Sequence, residues 1–518
     1  MQVAAGRPGV GREEKVKQLR FCVNSEWRVS KSGKYMPVFN PSVGEIIAET
    51  PCCTVEEVND AVAAAKEAFP AWSATPVTVR TQVLFRFKAL VEQHLEELTE
   101  LLATEMGKCL GEARGDVLKA VEGTEIACAA PALMQGDALM QVSKGHDTVM
   151  YREPLGVFAG IAPYNFPAMI PFGWMIPMCI ATGNTMVLKA ASLVPQTGMR
   201  MLELLIEAGL PKGVVNLVTC SRSEAGLLMK HPDVRGISYV GSTSVGLHIY
   251  STAAANGKRV QALTEAKNHA LVLKDAPLER TARGIINSSF GCAGQRCMAL
   301  PVIVVEDAIA DELVSYLVRF ARELVVGPAY DQRSQVGPLV SEGQKKFVME
   351  RIAKGVEEGA ELVLDGKNVV VEGAEKGFYV GPTILDRVKP GTSAGEDEIF
   401  GPVLSIKRVK DFEEGIEIMN ANRFANGSCI FTQNGYFARE FVRRTDAGMV
   451  GVNVGIPVPI GYFPFAGHKQ SFFGDLHCLG KDGVTFFTEA KCVTSRWFGE
   501  EDLKDTKIST WEGTLTKE

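Results

Sequence analysis

Between Val55 and Leu102 apolar residues recur every three or four positions through VEEVNDAVAAAKEAF and VRTQVLFRFKALVEQHLEELTELLA, which predicts two amphipathic helices. From Gly156 the pattern changes to short apolar runs separated by helix-periodic stretches. GVFAGIA, NTMVLKA, GVVNLVT and VRGISYV read as buried strands, and QTGMRMLELLIEAG between the second and third reads as a helix. Strands alternating with helices imply right-handed crossovers and a parallel sheet, with ligands at the C-terminal strand edge. A second region from about Ala266 to Gly448 repeats the pattern, with HALVLKD and LPVIVVE as strands and ADELVSYLVRFARELVV as a helix. GMVGVNVGIPVPIG then leads to VTFFTEAKCVTSRWF, which has strand character and reads either as an ordinary edge strand or as an oligomerisation element.

Leu155 to Leu188 contains no charged residue, which raises the question of a membrane span. Pro163, Pro167, Pro171 and Pro177 interrupt it, and Gly183–Asn184 marks a turn, so strand, loop, helix and strand describe it better. At 518 residues the chain is long enough for two large domains and a smaller element. A net charge of -6 with a pI near 5.8 leaves no basic footprint for nucleic acid or a membrane surface. The expected partners are a small molecule and further copies of the chain. Twelve cysteines without dense or paired zinc-type spacing suit a reducing compartment, and no metal site is expected. No secretory signal is read at the N-terminus, so the expected location is the mitochondrial matrix in a eukaryote and the cytoplasm otherwise.

The segment Phe290–Ala299, FGCAGQRCMA, places Cys297 after Gly291, Ala293 and Gly294, small residues that let the backbone approach a bound molecule closely. A cysteine taken alone is usually core filling; a nucleophile belongs in such a loop. Asn165 in PYNFP is, by itself, an ordinary turn residue in a Pro-flanked loop. Val234–Val240 as strand, Gly241–Thr243 as turn and a helix beyond offer a helix N-terminus to a phosphate without being GxGxxG.

GQRCMA, PYNFP, TMVLK, YVGSTSVG and DEIFGP together resemble the aldehyde dehydrogenase superfamily, and the resemblance runs from NPSVGEIIAE to Trp497. IAPYNFPAMIP, AKNHALVL, FANGSCIFT, YFPFAGHKQSFFGD and GKDGVTFFT are similar to the CoA-acylating methylmalonate-semialdehyde dehydrogenases within it. The resemblance implies an α/β protein with a Rossmann-type NAD-binding domain over 20–140 and 154–264 and an α/β catalytic domain over 265–448. It also implies a small β oligomerisation arm over 141–153 and 484–498, followed by a polar tail at 499–518.

The implied reaction oxidises methylmalonate or malonate semialdehyde to propionyl-CoA or acetyl-CoA, with loss of carbon dioxide and formation of NADH. Cys297 is the implied nucleophile, and the Asn165 amide with the Cys297 N–H holds the oxyanion. NAD is implied to meet Ala162, Tyr164, Lys189, Ser192, Leu193, Ser242, Thr264, Glu398 and Phe400, and coenzyme A is the co-substrate. Without that context Glu398 reads equally as a solvated loop acid and Phe400 as core. Arg296 and Lys119 are implied to hold the substrate carboxylate, and a dimer or tetramer is expected.

Three positions depart from the pattern. Ser192 stands where NAD-preferring relatives carry a glutamate that repels a 2′-phosphate. Lys119 stands where an arginine is usual, and Glu265 where a glycine is usual. In hydrolytic relatives a glutamate four residues before the motif lysine activates water; here that position is Leu263, before Lys267. The alternatives are a hydrolytic NAD(P)-dependent aldehyde dehydrogenase and a non-catalytic binding protein on the same fold.

Overall fold

The computed structural model describes residues 16–143, 145–500 and 502–504. The basic N-terminal stretch up to residue 15 and the polar tail from 505 onward lie outside the described residues. Thr54 starts the first long helix, Val55–Ala74, through a capping box: its Oγ1 accepts from the Glu57 N–H, and Glu57 Oε2 accepts from the Thr54 N–H at 2.8 Å. Val58, Ala61, Val62 and Ala65 form its buried face. The second expected helix is two, Val77–Gln93 and Leu95–Met106, because the backbone leaves the helical region at His94 (φ -98°, ψ 18°). The apolar spacing passes through this one-residue break undisturbed, so Leu84, Phe87 and Val91 before it and Leu98 and Leu102 after it all enter one core.

Eight strands make the first sheet, with Val157–Ile161 near its centre. Val234–Val240 and Arg259–Leu263 pair in parallel on one side of it, and Thr185–Lys189 and Val215–Val218 on the other. Antiparallel strands Phe21–Val23, Glu26–Arg28 and Phe472–Gly474 complete the edges. The charge-free stretch supplies two of the central strands and, between them, the buried helical turns Ile170–Met175 and Ile176–Ala181. Gly183 has φ 99°, a conformation that suits glycine, and the Asn184 side chain accepts from the Leu155 and Gly156 N–H groups. Among the described residues no helix is long and apolar enough to cross a membrane.

A five-residue strip from Thr264 crosses to the second sheet, whose strand His269–Val272 lies between Val302–Glu306 and Gly427–Phe431 in parallel. This sheet continues to Met449–Val452, beyond the expected boundary at 448, because that strand pairs with Gly427–Phe431. A third, small sheet joins Ala138–Ser143, His146–Pro154 and Thr488–Arg496, so it begins before 141. VTFF is not strand: Val484–Phe487 end the helix Gly480–Phe487, where Phe486 and Phe487 pack on Phe158 with centroids 5.5 and 4.8 Å away. Their burial against the first sheet overrides an aromatic, β-branched composition that favours strand.

A buried ion pair fastens the PYNFP loop to this frame. Lys108 Nζ lies 2.9 Å from Asp116 Oδ2 with both side chains fully buried, and it sits 3.4 Å from the centroid of the Phe166 ring. The other carboxylate oxygen of Asp116 accepts from the Met169 N–H at 2.8 Å. Burial pushes the Asp116 carboxyl up against the opposing pull of Lys108. Removing one partner leaves a buried charge without compensation. Lys108→Met is expected to cost about 3–5 kcal/mol of stability, read from urea unfolding; a loss below about 1 kcal/mol, the range of an exposed pair, would contradict this role.

Candidate active site

Cys297 lies in the loop between the helix Leu278–Phe290 and the strand Val302–Glu306. This loop occupies the N-terminal edge of the second sheet and faces the C-terminal edge of the first. Its approach is tightly turned, with Cys292, Ala293 and Gly294 at φ 51°, 50° and 71°. A Cβ on Gly294 would stand 2.0 Å from the Gly401 carbonyl oxygen, so only glycine lets this loop touch the DEIFGP segment. Glu112 accepts from the Cys292 N–H at 2.6 Å, and Gln295 Oε1 accepts from the Val340 N–H at 3.1 Å.

Two asparagines that the sequence reading did not single out hold the nucleophile itself. Asn268 Nδ2 donates to the carbonyls of Cys297 at 2.8 Å and Ala299 at 2.7 Å, while its Oδ1 accepts from the Gly427 N–H at 2.8 Å. Asn426 Nδ2 donates to the same Cys297 carbonyl at 3.3 Å. Their only signal was an amide at or just before the start of a buried strand, in AKNHALVL and FANGSCIFT. Buried Asn165 donates from Nδ2 to the Gln295 carbonyl at 3.1 Å, which ties PYNFP to the Cys297 loop and leaves a second amide hydrogen.

The expected cofactor residues divide into two groups. Ala162, Tyr164, Lys189, Ser192 and Leu193 share the wall of one cavity of about 530 Å³ at the C-terminal edge of the first sheet. Ser242, Thr264, Glu398 and Phe400 lie off that wall. Ser242 is the N-cap of the helix Thr243–Ala255, and its carbonyl accepts from Tyr239 Oη at 3.1 Å. Thr264 Oγ1 donates to the Gln470 carbonyl at 2.6 Å. Tyr164 bridges the groups, since its ring meets Phe400 edge-on at 6.1 Å and feels the charge of Glu398. Glu105 steadies the far side: its carboxyl, pushed up by burial to about 7, accepts from the Gln196 and Thr197 N–H groups at the start of the helix Pro195–Glu207.

The two substrate candidates separate. Arg296 donates from Nη2 to the carbonyls of Asn287 at 2.7 Å and Ser288 at 3.2 Å, its Nη1 lies 3.9 Å from Glu112, and its buried Nε has no partner among the described residues. Lys119 is half exposed and paired with Glu122 at 2.5 Å, and among the described residues no hydrogen bond or ion pair of its side chain reaches the Cys297 loop.

Burial governs the ionisable groups. Glu398, whose Oε1 accepts from the Ala266 N–H at 2.9 Å, is pushed up to about 8 by burial and by Glu265. Lys267 is buried, its Nζ has no hydrogen-bond partner among the described residues, and it is pushed down to about 7 by burial and by Lys407. Lys407 donates to Glu396 at 2.9 Å and to His269 Nε2 at 3.2 Å; burial first, then Lys407, holds that imidazole neutral.

The model of the aldehyde dehydrogenase family matches residues 27–493. The chain belongs to the aldehyde dehydrogenase family. Malonate-semialdehyde dehydrogenase 1 of Oceanobacillus iheyensis is 47% identical over 482 residues, 93% of this chain and 99% of that protein. Among solved structures, methylmalonate-semialdehyde dehydrogenase of Oceanimonas doudoroffii superposes with a TM-score of 0.92 at 40% identity, covering 94% of this chain and 99% of that one. A Sinorhizobium meliloti protein solved in complex with NAD gives 0.92 at 37% identity, covering 95% and 100%.

In this aldehyde dehydrogenase the Cys297 thiol is pushed up to about 12 by burial and by Glu398, against the backbone N–H groups of Cys297 and Met298, which favour the thiolate. Iodoacetamide labelling of Cys297, followed by mass spectrometry, should therefore climb about tenfold per pH unit from pH 7 to 9. Cys492, which is exposed, serves as the reference, and Cys292 should stay protected by its burial. A Cys297 rate that levels off below pH 8 would show a thiolate already formed and contradict the geometry.

Proposed function

We propose that the protein oxidises methylmalonate or malonate semialdehyde to propionyl-CoA or acetyl-CoA with release of carbon dioxide, using NAD and coenzyme A. The observation that carries the reading is the link from Asn165 through the Gln295 carbonyl to the Cys297 loop, in a cleft that Tyr164 joins to the cofactor cavity. The residues fit a dinucleotide. Lys189 and the buried, unpartnered hydroxyl of Ser192 belong to one cavity, a helix starts after Ser242, and Glu398 stands beside Tyr164 and Phe400. NAD, when bound, supplies the two-electron acceptor.

Attack by the Cys297 thiolate on the aldehyde carbon forms a C–S bond and turns the carbonyl oxygen into an oxyanion. The second Asn165 amide hydrogen and the Cys297 N–H are the donors for that charge. Oxidation leaves a thioester on Cys297. Buried Leu263, in place of a general base, supports discharge by the CoA thiol, which forms a new C–S bond as Cys297 leaves. The thioester carbonyl also accepts the electron pair when the substrate's carboxylate departs as carbon dioxide. Glu265, close enough to raise Glu398, favours a second reading in which it activates water and the product is a free acid. The exposed outer strand Thr488–Arg496, paired on one edge only among the described residues, supports a homodimer or homotetramer.

In single-turnover acylation followed by a chase, saturating CoA should release the acyl group from Cys297 at least about tenfold faster than buffer and yield a thioester. Equal rates, or free acid alone, would make the enzyme a hydrolase. For the substrate carboxylate the unpartnered Nε of Arg296 is the better placed donor, and Lys119 must first leave Glu122. Arg296→Gln should lower kcat/KM for malonate semialdehyde about tenfold more than for propanal; equal losses on both would assign Arg296 to the loop alone.

A further inference from the structure

Three free thiols that take no part in the proposed chemistry meet at one side of the large cavity. Cys52 and Cys53 follow the strand Glu45–Pro51, and Cys220 closely follows the strand Val215–Val218. The Cys53 N–H donates to the Thr219 carbonyl at 2.8 Å, and Thr219 Oγ1 donates to the Pro51 carbonyl at 2.7 Å. The first of these bonds joins the peptide after Cys52 to the peptide before Cys220. Residues so related have Cα atoms roughly 4.5–7 Å apart, which overlaps the span of about 4.4–6.8 Å that a disulfide bridges. Exposure separates their roles: Cys52 is partly exposed, Cys53 is enclosed in the core, and Cys220 is buried on the cavity wall with Lys189. The Lys189 ammonium feels the charge of both Cys220 and Cys52; burial pushes the Cys220 thiol up to about 11, and Lys189 opposes it. A neighbouring cation favours a thiolate, and the thiol that solvent reaches reacts first. The Ala190 N–H donates to the Val218 carbonyl at 3.0 Å, so the strand end that carries Lys189 is tied to the one that carries Cys220.

We propose that Cys52 and Cys220 are a redox pair: a small-molecule disulfide such as oxidised glutathione converts them to an intramolecular disulfide, and that bond weakens dinucleotide binding. The Cys52 thiolate attacks one sulfur of the small disulfide, forming a mixed disulfide and releasing one small thiolate. Cys220 then attacks the Cys52 sulfur, forms the new S–S bond and releases the second. Two protein thiols are oxidised, one small disulfide is reduced to two thiols, and the protons of the protein thiols end on those products. Closing the bond draws the Cys220 sulfur toward Cys52 and strains the backbone that is hydrogen-bonded beside Lys189. The weakening rests on the dinucleotide reading above, whereas the bond itself does not. Coupling of this kind is reciprocal, so bound NAD must oppose the disulfide by the same factor by which the disulfide weakens NAD.

The test uses the full chain carrying Cys297→Ser, which removes the nucleophile's own thiol, equilibrated in glutathione buffers of graded redox ratio. Peptide mapping after alkylation reads the bond, and calorimetry reads NAD binding. The expected result is a Cys52–Cys220 disulfide, a Kd for NAD at least about fivefold higher in the oxidised protein, and full reversal by dithiothreitol. Saturating NAD should shift the glutathione ratio at half-oxidation by that same factor. Cys52→Ser, off the cavity wall, should abolish the response and bind NAD as the reduced protein does. No bond between these two cysteines, a bond from either to Cys53, or an NAD affinity unchanged once the bond has formed would overturn the proposal while leaving the dehydrogenase reading standing. Failure of the reduced protein to bind NAD would overturn the two together.

Discussion

Asn268 is the side chain on which the nucleophile's position depends. It sits in the strip between the two sheets and uses its amide completely, donating to the carbonyls of Cys297 and Ala299 and accepting from the N–H of Gly427. The constraint behind it is general: a loop buried between two sheets must pair its peptide groups or lose about 1–3 kcal/mol for each one left unpaired. Side-chain amides suit the task because each offers donors and an acceptor without a charge to desolvate. Asn426, Gln295 and Asn165 repeat the solution around the same loop. With its flanks held this way, the loop sustains the left-handed run at Cys292, Ala293 and Gly294 that aims Cys297 into the cleft.

Charge around that loop is set by desolvation more than by pairing. Glu398 is raised and Lys267 lowered, each mainly by burial, and His269 stays neutral beside Lys407. Glu398 and Lys267 therefore titrate close to neutrality, where small changes in occupancy alter their charge. Farther out, the pairs carry fixed charge. Arg408, held by Asp386 at 2.6 Å, stays protonated, and Lys407 anchors Glu396 just ahead of the Glu398 segment.

The cleft itself arises from opposed sheet edges. The C-terminal edge of the first sheet presents 162–165, 189–193 and the turn at Gly241, while the N-terminal edge of the second presents the Cys297 loop, Glu398 to Pro402 and Asn426. A cofactor spanning the cleft would meet loops at one end and a nucleophile at the other, with Tyr164 and Phe400 between. The Lys108–Asp116 pair fastens PYNFP from behind, so the geometry of Asn165 depends on a charge pair that no solvent reaches.

Much of this was written in local pattern. Alternating apolar runs specify strands, helix spacing specifies amphipathic faces, and the prolines of the charge-free stretch specify a buried αβ passage, since each reflects the preferences of neighbouring residues. Small residues and prolines mark the loops at strand ends that carry Cys297, Asn165 and the cavity residues, whereas the roles given to those residues came from the resemblance of their motifs to a family. The break at His94 was not legible, because a one-residue interruption keeps the apolar face in phase. The helical end of VTFF depends on Phe158, more than three hundred residues earlier in the chain. Arg296 and Lys119 were both implied to hold the substrate carboxylate, and only the fold sets the Asn287 and Ser288 carbonyls against the first and Glu122 beside the second. The hold of Asn268 on Gly427 joins positions 159 residues apart. Sequence determines what each residue is able to bond; only tertiary structure, by burying the loop between two sheets, decides which partner it meets and which charge survives the loss of water.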